Sequence, residues 1–206
     1  MSIYVLKSKF QNLLRPIVRQ LYKFGVTANQ VTLFAMLVSI AVGTLLALNI
    51  EHAKLFFIVP VWMFIRMALN AMDGMLAREF GQKSPLGAYF NELSDVIADT
   101  ALFVPFALLV GVSPILVLSI IFLATLSEYT GALGLMVGAD RRYDGPMGKS
   151  DRAFVFGALS LFWGLGVISA WWVNVVLAIT LLLLLVTITN RIRSGIKIGA
   201  KNSQEA

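Results

Sequence analysis

Between residues 70 and 100 the chain gathers Asp73, Asp95, Asp99, Glu79, Glu92, Asn70, Asn91, Arg78 and Lys83, although long apolar runs flank the stretch on both sides. Arg66, Asn70, Asp73 and Ala77 follow i, i+4, i+7 and i+11 and share one face of a helix. Asn91, Asp95 and Asp99 follow i, i+4 and i+8 and share one face of the next. Gly81, Ser84, Pro85 and Gly87 supply the break between them, so the two polar faces can meet across a hairpin. The chain has no cysteine, and its one histidine, His52, lies in a short loop. Thiolate metal sites are thereby excluded, and a histidine-rich metal site or a Ser–His–Asp triad has little to build on. Facing carboxylates without His or Cys suit a hard cation such as Mg²⁺, Mn²⁺ or Ca²⁺. Magnesium commonly takes one or two protein carboxylates and completes its shell with phosphate oxygens and water. Gly74 would let a ligand approach the backbone closely, and Arg78 is a candidate phosphate clamp.

The elements that must hold these groups are membrane helices. Of the 206 residues, 58% are hydrophobic and 14% charged, and the mean hydropathy is +0.82. A soluble domain is about half apolar and about a quarter charged. Six apolar runs cover roughly 29–49, 55–73, 88–110, 114–137, 153–169 and 171–190, and backbone satisfaction in lipid makes helices of them. Fifteen of the 17 basic residues flank alternate ends of these runs, Lys54 lies opposite, and Arg66 lies within a run. The positive-inside rule then places both termini in the cytoplasm. Ile3, Leu6, Phe10, Leu14, Ile17, Leu21 and Phe24 recur at helical spacing among basic residues, which predicts an amphipathic interfacial helix, with Pro16 as a candidate bend. The expected fold is therefore an all-α integral membrane protein. It comprises an interfacial helix over 1–26, a six-helix transmembrane catalytic domain over 27–193 and a short cytoplasmic tail over 194–206.

The polar stretch also carries a pattern. Asn70-Ala-Met-Asp73-Gly74-Met-Leu-Ala77-Arg78, then eight residues, then Gly87-Ala-Tyr-Phe-Asn91-Glu-Leu-Ser-Asp95 resembles the signature of the CDP-alcohol phosphotransferase family, D-x2-D-G-x2-A-R-x8-G-x3-D-x3-D. Every spacing matches. Thr27-Ala28-Asn29-Gln30-Val31-Thr32 is similar to that family's T-P-N-x-x-T stretch at the start of the first span. The resemblance implies six spans, a cytoplasmic site and a reaction in which an alcohol displaces CMP from a CDP-linked donor. It implies that the first three aspartates hold one or two divalent metals and that the fourth deprotonates the attacking hydroxyl. Asp73 and Asp95 match the second and fourth; Asn70 and Asn91 stand at the first and third.

Asparagine can still ligate through its amide oxygen but brings no charge. Three readings follow. The site uses one well-occupied Mg²⁺ or Mn²⁺, held by Asp73 with Asn70, Asn91 or Asp95; or Asp99 or Glu92 stands in; or the site is inactive. Asp99 lies about 12 Å along the helix from Asn91, too far to share a compact site with it.

The expected substrates are CDP-diacylglycerol and an alcohol acceptor, within a bacterial inner membrane and with the site facing the cytoplasm. The alternatives are a soluble CDP-alcohol with a lipid acceptor, or a non-catalytic lipid- or metal-binding relative. Membrane lipids and a second copy of the chain are candidate partners; nucleic acid is not. Asn29 and Thr32 either pin the first span or join Gly74, Ala77, Arg78 and Gly87 in binding CDP. Lys149 and Arg152, in "GPMGKSDRA", are either topology charges or phosphate ligands. Arg141 and Arg142 read as topology and headgroup charges, and Gly131, Gly134 and Gly138 as helix packing. Arg66, buried at depth, needs a carboxylate partner. Asp99 is the expected one, with Glu128 as competitor.

Overall fold

The computed structural model describes residues 3–205, with side chains described for residues 9–204. Seven α-helices and three short 3₁₀ turns, with no strand, make up these residues. The α-helices are α1 (Ile3–Lys23), α2 (Ala28–Leu48), α3 (Ile58–Glu79), α4 (Pro85–Phe103), α5 (Pro114–Leu133), α6 (Lys149–Gly164) and α7 (Ala170–Glu205). Among the described residues four helical stretches are long and apolar enough to cross a membrane: Ala28–Leu48, Ala53–Glu79, Pro114–Val137 and Ala170–Gln204. The other two runs counted as spans fall short of that standard. α4 carries Glu92, Asp95 and Asp99 within 19 residues. α6 has 16 residues, about 24 Å of helix against a hydrocarbon core of about 30 Å.

The chain divides into two compact units, Met1–Ala41 with Val61–Ala98, and Val42–Pro60 with Asp99–Ala206. In the first, α1 lays Leu14 and Val18 onto Ala28 and Val31 of α2 and Met72, Met75 and Leu76 of α3. α1 runs unbroken through Pro16, and its opposite face exposes Leu13 and Ile17. The helix is thus two-faced from Phe10 onward; the side chains of Ile3 and Leu6 lie outside the described residues. Arg15 reaches Glu79 at the end of α3 at 2.9 Å, an exposed pair of small energetic weight.

In the second unit, glycine lets backbones touch. A methyl at Gly43 would stand 2.0 Å from the Ala101 carbonyl oxygen, and one at Gly199 would stand 1.9 Å from that of Val137. The third run does not continue as one helix to residue 110. It ends at Phe103, and a 3₁₀ turn over Val104–Leu108 contains Pro105, which cannot supply the helical N–H. α7, in contrast, continues through the polar residues expected to form a tail, as far as Glu205.

Candidate active site

The signature residues of the first unit sit on α3 and α4, and Thr32 sits on α2; α2 and α4 have well-capped starts. Thr27 and Gln30 form a reciprocal cap for α2. Gln30 N–H donates to Thr27 Oγ1 at 3.3 Å, and Thr27 N–H donates to Gln30 Oε1 at 2.9 Å, the Thr-x-x-Gln pattern of a capping box. Ala28 stands where the T-P-N stretch has proline. Its extra N–H is taken up by Gln82 Oε1 at 2.7 Å. Ser84 Oγ accepts the Gly87 N–H at 3.0 Å, and Pro85 opens α4, where its missing donor costs nothing.

These starts fix the polar faces. Asp73 is buried on α3, and its Oδ2 accepts the Thr32 hydroxyl at 2.7 Å. Asn70 faces Asp95: its Nδ2 donates to Asp95 Oδ1 at 3.3 Å. The Arg66 guanidinium, also buried, donates through Nη2 to Asp95 Oδ1 at 3.3 Å and to the Asp95 carbonyl at 3.2 Å. The expected pairing of Arg66 with Asp99 would join residues of different units; within its own unit the Arg66 partner is Asp95. The Arg78 guanidinium lies over Gly74, where a methyl would stand 2.9 Å from Nη2, and the Asn29 amide lies beside Gly87, where a methyl would stand 2.9 Å from Oδ1. Asn29 does not cap α2; Thr27 does. Ala77 is half-buried, and Arg78 and Asn91 are exposed.

The candidate donors are all oxygen: carboxylates of Asp73 and Asp95, amides of Asn70 and Asn91. Asn70 directs its NH₂ group at Asp95, so the amide oxygen is the atom it could offer an ion. Among the described residues no three His, Cys, Asp or Glu side chains gather closely enough to hold an ion by themselves. Hard oxygens in small number fit a divalent ion that takes the rest of its shell from substrate phosphate.

The second unit holds a denser charge cluster. Glu128 accepts from Arg141 at 2.9 Å and Arg152 at 3.1 Å, and Arg191 approaches it at 3.5 Å. Asp99 accepts from Arg152 at 3.3 Å. Arg152, 1% exposed, also reaches Met147 O and Ser127 Oγ. Glu128 is thus held inside its own unit by three arginines. Lys149 opens α6 half-buried beside Gly148, whose N–H donates to Asp151. Arg141, read as a topology charge, is a partner of Glu128, and Arg142 pairs with Asp144 at 2.9 Å. The packing role of the glycines holds for Gly131 and Gly134, where a methyl would stand 2.6 Å and 2.8 Å from the carbonyl oxygens of Arg142 and Asp140.

A helical membrane chain with this signature face is one of a known class. The CDP-alcohol phosphatidyltransferase family model matches residues 25–147, and the chain belongs to that family of membrane transferases. It is 45% identical to the inner membrane protein YnbA of Escherichia coli strain K12 over 205 residues, 98% of this chain and 100% of that one. It is 28% identical over 111 residues to the archaetidylinositol phosphate synthase of Aeropyrum pernix, covering 48% of this chain and 57% of that one. The fold is that of the Mycobacterium tuberculosis phosphatidylinositol phosphate synthase crystallised with manganese and citrate. The TM-score is 0.73 at 21% identity, over 87% of each chain. The same mycobacterial enzyme with CDP-DAG bound gives 0.70 at 20% identity, over 87% of this chain and 92% of that one.

Proposed function

We propose that this protein transfers the phosphatidyl group of CDP-diacylglycerol to an alcohol and releases CMP. The observation that carries the reading is the pairing of faces on α3 and α4, with Asp73 anchored by Thr32 and Asp95 flanked by Asn70 and Arg66. The mycobacterial relatives bind manganese and CDP-DAG, which supports a divalent ion and that donor here. The acceptor oxygen bonds to the phosphorus that bears diacylglycerol. The bond from that phosphorus to the bridging oxygen breaks, and CMP leaves with the bridging oxygen. Asp95 takes the hydroxyl proton. Arg66 holds the Asp95 carboxylate toward Asn70 while it does so. One Mg²⁺ or Mn²⁺ would be held by Asp73, Asp95 and the amide oxygens of Asn70 or Asn91, and would offset pyrophosphate charge. Arg78, Gly74, Ala77, Gly87 and Asn29 line the approach of the CDP moiety. Lys149 and Arg152 serve phosphate or the fold. The two signature asparagines make the site a low-charge variant in which the donor brings part of the metal's shell.

The chain crosses the inner membrane six times, with both termini and the site in the cytoplasm. Support comes from the asymmetry of basic residues and from the inner-membrane relative. Reporter fusions after residues 52 and 112 are expected outside and one after 145 inside. Incubation of the purified protein with CDP-diacylglycerol, Mn²⁺ and a panel of alcohols tests the chemistry. Metal-dependent CMP release is the expected result. No release with any acceptor, from protein that binds metal, would leave a lipid- or metal-binding relative instead.

A further inference from the structure

We infer that Thr32 is the positioning residue of the Asp73 carboxylate, and that its hydroxyl sets how well the site takes a divalent cation. The inference rests on the reading of Asp73 as a metal ligand.

Thr32 Oγ1 lies 2.7 Å from Asp73 Oδ2, and the two residues are 8% and 6% exposed. The same hydroxyl lies 3.1 Å from the Ala28 carbonyl one turn back. One proton cannot serve both acceptors. A hydroxyl bonded to an ionised carboxylate sits at about 2.5–2.7 Å and is roughly twice as strong as a neutral pair. The proton therefore goes to Asp73, and the carbonyl contact is the ordinary consequence of a threonine within a helix.

A carboxylate turns easily about its last torsion, which has no sharp staggered minima. A donor fixed on one oxygen removes that freedom and sets the direction of the other. Thr32 is suited to the task because its β-branch leaves few rotamers. The helix beneath it is also held: Thr27 and Gln30 close the first turn, and Gln82 grips Ala28 N–H at 2.7 Å. The loop before α4 thus reaches Asp73 through the start of α2. In a site with four aspartates, misalignment of one would be shared among the rest. Here two of the four positions are amides, so the aim of Asp73 weighs more.

Mn²⁺ binding to the purified full-length protein in detergent, followed by electron paramagnetic resonance, tests this. Titrations are run with Mn²⁺ alone and with Mn²⁺ plus CDP as the pyrophosphate probe. Loss of a partner that orients a ligand typically weakens metal affinity by about 10–100-fold. Thr32→Val is expected at the lower end, about 10-fold weaker, and Thr32→Ala similarly. Thr32→Ser, which keeps the hydroxyl, should restore affinity to within about twofold of wild type. A purely structural threonine would lower the melting temperature of Thr32→Val and leave its Mn²⁺ affinity unchanged. That result would overturn the inference, as would a Thr32→Ser variant as weak as Thr32→Val. If neither Thr32→Val nor Thr32→Ala folds, Thr32 belongs to the fold and the inference is also overturned. Wild-type protein that binds Mn²⁺ but releases no CMP would sink the transferase reading and leave this one standing. Wild type that binds no Mn²⁺ with or without CDP would overturn the role of Thr32, while CMP release continues to test the transferase reading.

Discussion

On the signature face two carboxylates and two amides occupy four positions, and one guanidinium, Arg66, stands against Asp95. Around Glu128 three guanidinium groups share the carboxylates of Glu128 and Asp99. Both regions bury charge, which costs several kcal/mol per ion in effect unless partners compensate. The cluster matches each acid with arginines of its own unit, three cations to two carboxylates. On the signature face two of the four positions carry amides in place of carboxylates, the arrangement proposed above as a low-charge metal site. Charge that only pairs inside the fold stabilises it, and charge that also meets a ligand serves chemistry. Substitutions in the two regions should therefore fail in different ways.

The largest effect is expected at Asp95. Asp95→Asn should lower CMP release about 10²–10⁴-fold per folded molecule, the usual cost of a lost general base, beside some fall in melting temperature because the charge facing Arg66 is removed. A collapsed melting temperature with full activity per folded molecule would place Asp95 with the structural charges and break the comparison. Glu128→Gln comes next. It strands buried guanidinium groups and should destabilise by about 3–5 kcal/mol, read as thermal unfolding in detergent. If the variant melts like wild type but loses turnover, the cluster is part of the chemistry.

Arg66 lies between these extremes. A double-mutant cycle of Arg66→Ala with Asp95→Ala should show coupling of about 0.5–3 kcal/mol in unfolding. A second cycle with Asp99→Ala tests the proposed pairing across the two units; strict additivity there would remove Asp99 as a partner. The smallest effect concerns the cap. Gln82→Ala leaves the Ala28 N–H without its acceptor and should cost about 1 kcal/mol. Adding Ala28→Pro deletes that donor at a position where proline is tolerated and should recover most of the loss. A double variant less stable than Gln82→Ala would show that Gln82 acts otherwise.

The helices were legible because apolar runs of spanning length leave few alternatives, and the site was legible because its spacing is periodic. Asn70 meeting Asp95 follows from the antiparallel register of α3 and α4. The Glu128 cluster was not legible. Arg141 and Arg191 lie 13 and 63 residues from it, among basic residues that topology alone explains. The need of a buried acid for a cation pointed to Arg66 instead. Thr32 was legible as a polar group at a helix start, but its partner is 41 residues away. Residues 104–108 read as apolar and continuous although Pro105 ends regular helix there. The polar end of α7 read as a tail because its residues are polar and small. The helix instead packs there: a methyl at Gly199 would collide with the Val137 carbonyl.

That helix has a practical consequence. Its 36 residues make a rod of about 54 Å, and the hydrocarbon layer takes up about 30 Å of it. Roughly 24 Å of the rod must stand in headgroups or water. The Asn202 amide steadies it by donating to the Gly138 carbonyl at 2.7 Å. A fluorophore or affinity handle fused at this end would be presented beside Val137 and Gly138, which Gly199 and Asn202 touch, at the edge of the lipid. The same rod offers a ruler: spin labels walked along residues 192–204 should cross from lipid-like to water-like accessibility within about three turns.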